Sequence, residues 1–80
     1  MAKLFNQQHF VAMAEVIKTQ LDACSSAEQI NGMEKIIVEM IRLFRRHNNA
    51  FRTIYFLNKC GYTDDAAHKM LERNGYQYNY

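Results

Sequence analysis

The stretch SSAEQINGMEKIIVEMIRLFRRH, residues 25–47, decides the fold of this chain. Its apolar residues recur every three or four positions, which is the spacing of one face of an α-helix. Ser25 and Glu28 have the spacing of a capping box, in which a serine and an acid three residues later satisfy the first backbone amides. We therefore expect a helix from about residue 26 to residue 47.

The apolar side chains of this helix cover an arc of about 160°, whereas a helix lying on one face of a core needs about 100°. The helix should therefore have apolar contacts on two sides. It is either the central helix of a small bundle or a helix that also meets a second copy of the chain. The arc consists of Ile30, Met33, Ile36, Ile37, Met40, Ile41, Leu43 and Phe44.

The segment before this helix predicts a first helix from about residue 7 to residue 23. Asn6 is a good N-cap, and Phe5 and Phe10 have the spacing of a hydrophobic staple around it. Apolar residues then recur at helical spacing until Cys24.

The segment after residue 47 predicts two shorter helices, at about 50–60 and 64–73. Asn48 and Asn49 stop one helix and cap the next, and Gly61 stands where a helix often ends in the left-handed conformation. This outweighs the strand-like composition of residues 53–56. Thr63 should cap the last helix, with Asp64 and Asp65 in its first turn, Lys69 and Arg73 in its last turn and Gly75 at its end.

The fold class is therefore all-α: a single domain, residues 1–80, in which four helices form a small bundle and a short tyrosine-rich tail follows. With 80 residues, the chain can build only one small core. The residues expected to share that core are Phe10, Ile17, Leu21, Ile37, Met40, Phe44, Phe51 and Ile54.

Composition limits where the protein works. The two cysteines, Cys24 and Cys60, are too few for the disulfide framework of a small secreted domain. The chain opens without the features of a secretory leader, and no apolar run approaches the about 20 residues that span a bilayer. We expect free thiols, no membrane anchor and a cytosolic location.

No catalytic motif is present: there is no phosphate-binding glycine loop, no His-Glu-x-x-His, no Cys-x-x-Cys and no nucleophile elbow. Asp64 and His68 stand four residues apart and could supply part of a metal site with Cys60. A capping acid beside a solvated histidine explains them more simply. We therefore expect no enzymatic activity, no cofactor and no metal.

Charge is segregated along the chain. The net charge is −2 over residues 1–40, +5 over 41–60 and −1 over 61–80, within a total of +2. Residues 41–60 contain no acid. Their basic residues include Arg42, Arg45, Arg46 and Arg52, which suit a phosphate, a carboxylate or an acidic protein surface because guanidinium groups bind such groups bidentately. The alternative is a solvated helix end whose cations favour the helix dipole.

The C-terminal tail carries Tyr76, Tyr78 and Tyr80, which share one side of an extended chain. They either cover the protein's own core or contact a partner. A helix-turn-helix centred on Gly61 is a further interpretation. It is disfavoured because Leu57 occupies a position that needs a small residue, and because the reading helix would begin with two aspartates facing DNA phosphates.

Two motifs resemble a large group of short bacteriophage proteins of unassigned function. One is Asn48-Asn-Ala-Phe-Arg-x-x-x-Phe-Leu-x-x-Cys-Gly61, preceded by Met40-Ile-x-x-Phe44, and the other is Leu4-Phe-x-x-x-His-Phe-x-x-x-Ala14. The resemblance covers about residues 4–61, and the group commonly has Asn-Pro where this chain has Asn48-Asn49. It implies a phage origin, and short phage proteins without catalytic motifs often inhibit host machinery.

These observations predict a non-catalytic, phage-encoded protein that blocks a host protein machine, with an anti-defence inhibitor of the anti-CRISPR kind as the leading hypothesis. One alternative is an oligomeric sponge for a negatively charged nucleotide signal. Another is a small nucleic-acid-binding regulator, which is not favoured. A homodimer is compatible with each of these. The predicted contact residues are Arg42, Arg45, Arg46, Arg52, Tyr76, Tyr78 and Tyr80.

Overall fold

A computed structural model describes residues 6–76 of the chain. They form four helices: α1 (Gln7–Ala23), α2 (Ala27–His47), α3 (Thr53–Lys59) and α4 (Asp64–Arg73). The predicted all-α fold is confirmed, and residues 6–76 contain no strand, so the strand-like residues 53–56 are helical. Within this described part, no helix is long and apolar enough to cross a membrane.

The helix α1 begins as expected. The Asn6 side chain accepts a hydrogen bond from the His9 backbone amide at 3.3 Å, and His9 Nδ1 accepts one from the Asn6 amide at 3.2 Å. The pair is a capping box in which histidine replaces the usual acid or amide. The predicted staple partner Phe5 lies outside the described residues.

The helix α2 is capped by Ser26 and not by Ser25. The Ser26 hydroxyl accepts a hydrogen bond from the Gln29 amide at 3.2 Å. The Gln29 side chain then accepts one from the Ser25 backbone amide at 2.7 Å. The predicted Ser25–Glu28 box is therefore wrong by one residue, because Gln29 can reach back as well as Glu28 could.

The helix α3 begins at Thr53, three residues later than predicted. Asn48 is buried, and its side chain accepts a hydrogen bond from the Ala50 amide at 3.0 Å. Its carbonyl accepts one from the Phe51 amide, also at 3.0 Å. Asn48 thus builds a turn instead of capping α3, whose N-cap is Arg52 without a side-chain cap. This turn places the Phe51 side chain in the core.

The helices α3 and α4 both end at a glycine in the left-handed conformation, as the sequence predicts. Gly61 has φ +104° and Gly75 has φ +75°. In α3 the Tyr62 amide donates to the Leu57 carbonyl and the Gly61 amide to the Asn58 carbonyl, each at 3.0 Å. The same two bonds recur after α4, so both ends are Schellman motifs. Each motif places a tyrosine, Tyr62 or Tyr76, directly after its glycine.

Four phenylalanine rings from three helices and one turn form the centre of the core. Phe44 of α2 lies 5.0 Å from Phe10, 5.5 Å from Phe51 and 5.6 Å from Phe56, measured between ring centroids. Because Phe10 is near the start of α1 and Phe44 near the end of α2, these two helices are antiparallel. Of the predicted core residues, Phe10, Ile17, Ile37, Phe44 and Phe51 are buried, whereas Leu21, Met40 and Ile54 pack at its edge.

The buried face of α2 does not coincide with its apolar arc. Val38 and the carboxylate residue Glu34 are buried, although neither belongs to the arc. At the other edge Ile36 is 58% exposed and Leu43 is 42% exposed. The core therefore covers only part of the arc, and the second apolar side of α2 has no cover within residues 6–76.

Candidate partner-binding surface

Two of the predicted arginines meet at Tyr76. Arg42 Cζ lies 5.5 Å from the centroid of the Tyr76 ring, and Arg45 Nη1 donates to the Tyr76 hydroxyl at 3.4 Å. Arg42 also forms an ion pair with Glu39. The Schellman motif at Gly75 fixes where Tyr76 stands, and Tyr76 in turn orients two guanidinium groups. The face of the tyrosine ring attracts the Arg42 guanidinium group electrostatically and holds it in place.

A second cationic group forms around Tyr55. Arg52 Cζ lies 5.4 Å and Lys59 Nζ 5.3 Å from the centroid of the Tyr55 ring. Arg52 precedes Tyr55 by three residues and Lys59 follows it by four, so all three share one side of α3. The sequence prediction included Arg52 but missed Tyr55 and Lys59. Their spacing is the signal that could have indicated them.

The remaining arginine, Arg46, is exposed near the end of α2. Within residues 6–76, Arg45, Arg46 and Arg52 form no ion pair with a carboxylate, so their charges are not neutralised by the fold. The structure thus brings Arg42 and Arg45 together with Tyr76 and places Arg52 beside Tyr55. The predicted contact residues Tyr78 and Tyr80 lie outside the described residues.

A cavity of about 170 Å³ opens beside Arg52 and Tyr55. Its apolar wall is made by the core rings Phe10, Phe51 and Phe56, and polar groups line the rest. A cavity of about 150 Å³ is enough for one benzene ring. The site can therefore hold one aromatic or branched side chain with a guanidinium group at its rim.

A buried carboxylate that sequence reasoning missed lies on α2. Glu34 is 1% exposed, and Arg73 Nη2 donates to both of its oxygens at 2.8 Å. The Tyr62 hydroxyl donates to Glu34 at 2.8 Å and Asn74 Nδ2 at 3.2 Å. These bonds attach the end of α4 to α2. Glu34 stands four residues after Ile30 and three before Ile37, and an acid at that spacing on an apolar face signals a buried partner.

The same contacts shift two pKa values. Burial raises the pKa of Tyr62, and its hydrogen bond to Glu34 raises it further. The hydrogen bond to Glu34 also raises the pKa of Arg73. Both pKa shifts favour the protonated form of these two hydrogen-bond donors.

The possible metal ligands are not gathered into a site within the described residues. Asp64 Oδ1 accepts a hydrogen bond from Asn58 Nδ2 at 3.0 Å, which ties α3 to the start of α4. Cys60 is buried in the core. Among residues 6–76 no three His, Cys, Asp or Glu side chains could hold a metal ion together.

The two thiols are expected to differ in reactivity. Cys24 is partly exposed, whereas Cys60 is buried and its pKa is raised by burial from 9.0 to about 12. Since the thiolate is the reactive form, the native protein should react with a disulfide reagent such as Ellman's reagent rapidly at one thiol and at the second only after unfolding. Cys24→Ser should remove the fast phase, and a fast phase that survives it would contradict this assignment.

The raised pKa of the Cys60 thiol also predicts that the protein becomes less stable at alkaline pH. The fold favours the neutral thiol, so this contribution is complete below pH 9 and declines as the pH rises from 9 towards about 12. Between pH 8 and pH 10 the free energy of unfolding should fall by about 1 kcal/mol from this thiol. Urea unfolding of the wild type and of Cys60→Ala at the two pH values measures it. An equal fall in both proteins would contradict the prediction.

Comparison with known proteins does not assign this chain to a family. No family model matches the chain, and neither the curated proteins nor the solved structures contain a match to it. The resemblance to short bacteriophage proteins therefore stays a prediction from the motifs.

Proposed function

We propose that this chain is a non-catalytic, phage-encoded protein that binds and inhibits a host protein machine, as an anti-defence inhibitor of the anti-CRISPR kind. The phage origin rests on the motif resemblance of residues 4–61. The inhibitory role rests on analogy with short phage proteins that lack catalytic motifs. The structure supports the binding part of the proposal.

The observation that carries the proposal is the cavity beside Arg52 and Tyr55. Protein interfaces gain most of their affinity from a few anchor side chains in desolvated pockets, surrounded by a polar rim. The cavity has apolar walls, and Arg52 at its rim is not neutralised by an ion pair within residues 6–76. It therefore suits an apolar anchor of a partner protein with a carboxylate nearby.

The size of this cavity favours a protein partner over a nucleotide. Pockets for small molecules usually measure about 300–1,000 Å³. The cavity measures about 170 Å³. One side chain fills that volume, whereas a nucleotide would leave most of its atoms outside.

The test compares two variants that lose the same charge. Replacing Arg45, Arg46 and Arg52 by alanine takes the formal net charge from +2 to −1, as does replacing Lys18, Lys35 and Lys69. All six side chains are exposed, so neither variant should lose much stability. The arginine variant should bind the partner captured from infected host cells at least about tenfold more weakly, because charged recognition depends on these groups.

The lysine variant is the control and should bind within about threefold of the wild type. Calorimetry gives the affinities, and phage plating efficiency gives the effect on infection. If both variants lose affinity equally, net charge and not this surface decides binding. If affinity for duplex DNA falls with salt at a log–log slope of about −0.9 for each phosphate contacted, the partner is nucleic acid and the proposal fails.

A further inference from the structure

The two longest helices leave an apolar face uncovered. Among the described residues, the large apolar side chains that are most exposed are Val16 of α1, at 64%, and Ile36 of α2, at 58%, followed by Leu43 at 42%. Met33 and Met40 lie beside them and are only partly buried. We call these five residues the α1/α2 face.

The helices α1 and α2, which border this face, meet at two places. Phe10 meets Phe44 near one end of the helix pair. Gln20 shares a surface groove with Gly32 and Met33 near the other end. Val16 is one turn before Gln20, and Ile36 is one turn after Gly32, so each lies one helical turn from this groove.

The spacing along α2 indicates that a helix covers this face. Gln29, Met33, Ile36, Met40, Leu43 and His47 alternate in steps of four and three, which is the spacing of a helix seam packed against another helix. The series is symmetric about residue 38. An antiparallel copy of the same helix therefore presents the same residues, with Met33 opposite Leu43 and Ile36 opposite Met40.

Gly32 supplies an independent observation. It lies inside α2, where glycine destabilises a helix relative to alanine. A Cβ placed there would have no atom within 4 Å, so no contact within the chain requires glycine. Gly32 precedes Ile36 by one turn and borders the α1/α2 face. A second helix passing close to the α2 backbone explains the missing side chain.

Charge selects the antiparallel orientation. Glu28 in the first turn of α2 and Arg46 in its last turn both border the seam on the same flank. In an antiparallel pair, Glu28 of each copy lies near Arg46 of the other, and the helix dipoles also oppose each other. In a parallel pair Glu28 of each copy stands at the level of Glu28 of the other, about 27 Å along the axis from Arg46, so the opposite charges cannot meet.

We propose that the chain forms a two-fold symmetric homodimer in which α2 packs antiparallel against α2 of a second copy, with Val16 at the edge of the interface. This inference does not depend on the proposed host partner, and Arg46 is the one residue used in the tests of both surfaces. The cavity beside Arg52 is lined by none of the residues of the α1/α2 face. A dimer therefore leaves that cavity open.

Sedimentation equilibrium over about 1–100 µM tests the assembly, and the wild type should be a dimer within this range. Ile36→Lys combined with Leu43→Lys should weaken association at least about a hundredfold with an unchanged circular dichroism spectrum, because it places charges in the seam. Asn31→Lys is the control, since Asn31 is exposed on α2 and lies about 140° from Ile36 around the helix.

The control should dimerise like the wild type. A monomeric wild type at about 100 µM, or equal loss of dimer in the control and the double variant, would overturn the proposal. Gly32→Leu gives a second readout, since a large side chain at this position should abolish the dimer. A Gly32→Leu dimer of unchanged affinity would show that α2 does not approach α2 there, and would also overturn it.

The orientation is tested by exchanging charges. Glu28→Arg alone and Arg46→Glu alone should each weaken the dimer about three- to tenfold, and the double exchange should restore it. If the single variants bind as the wild type does, or if the double exchange does not restore affinity, the antiparallel pairing is wrong.

Discussion

Replacing Phe44 by alanine is expected to lower the free energy of unfolding by about 3–5 kcal/mol. The ring is 2% exposed and contacts the rings of Phe10, Phe51 and Phe56. Its removal leaves a cavity at the point where α1, α2 and α3 meet, and these elements cannot close it without moving the turn at residues 48–51. A domain of this size has about 4–12 kcal/mol in total.

Thermal and urea unfolding followed by circular dichroism measure this effect. The melting temperature should fall by at least about 12 °C, at about 4–8 °C for each kcal/mol. Ile30→Ala serves as the control because Ile30 is 36% exposed, and it should cost clearly less. A Phe44→Ala melting curve within a few degrees of the wild type would disprove the four-ring core.

The second large effect concerns the buried carboxylate. Arg73→Leu should cost about 3 kcal/mol, because it leaves the Glu34 charge buried without its cation. This lies at the lower end of the range for broken buried pairs, since Tyr62 and Asn74 still donate to Glu34. Glu34→Leu should cost less, because the Arg73 side chain is 54% exposed and can turn into water.

The double variant measures how strongly the effects of the Glu34 and Arg73 substitutions depend on each other. Glu34→Leu with Arg73→Leu should be close to the wild type, since an apolar pair of similar size often replaces a buried ion pair without loss. Urea unfolding of the four proteins gives the coupling free energy. Lys69→Leu, which breaks the exposed pair with Asp65, is the control and should change stability by less than about 0.5 kcal/mol. Additive effects of the two single substitutions would contradict the pairing.

Sequence reasoning predicted those parts of the fold that depend on neighbouring residues. The bounds of α1 and α4 follow from Asn6, Thr63 and Gly75, each of which acts on backbone groups within a few positions. The same holds for the left-handed Gly61. The predicted start of α3 was wrong because Asn48 can either cap a helix or close a turn. The burial of Phe51 decides between these two roles.

The candidate surface was predictable only in part, for the same reason. The absence of acids in residues 41–60 is visible in the sequence, and so are the arginines. Which arginines lie beside Tyr76 and which beside Tyr55 depends on where α4 ends and on which side of α3 faces outward. Glu34 could be recognised as an acid on an apolar face, but its donors lie 28–40 residues away. No local pattern connects such distant residues.

The helix α2 is fixed to the rest of the protein by two different kinds of contact, one at Glu34 and one at Phe44. These residues are ten positions apart, which is about 15 Å along the helix axis. Around Phe44 the contacts are apolar, and apolar stabilisation weakens as water is cooled. Around Glu34 the contact is ionic, and the cost of removing its charges from water falls as temperature rises. Cold therefore loosens the aromatic end of this helix first, whereas warmth favours the junction with α4.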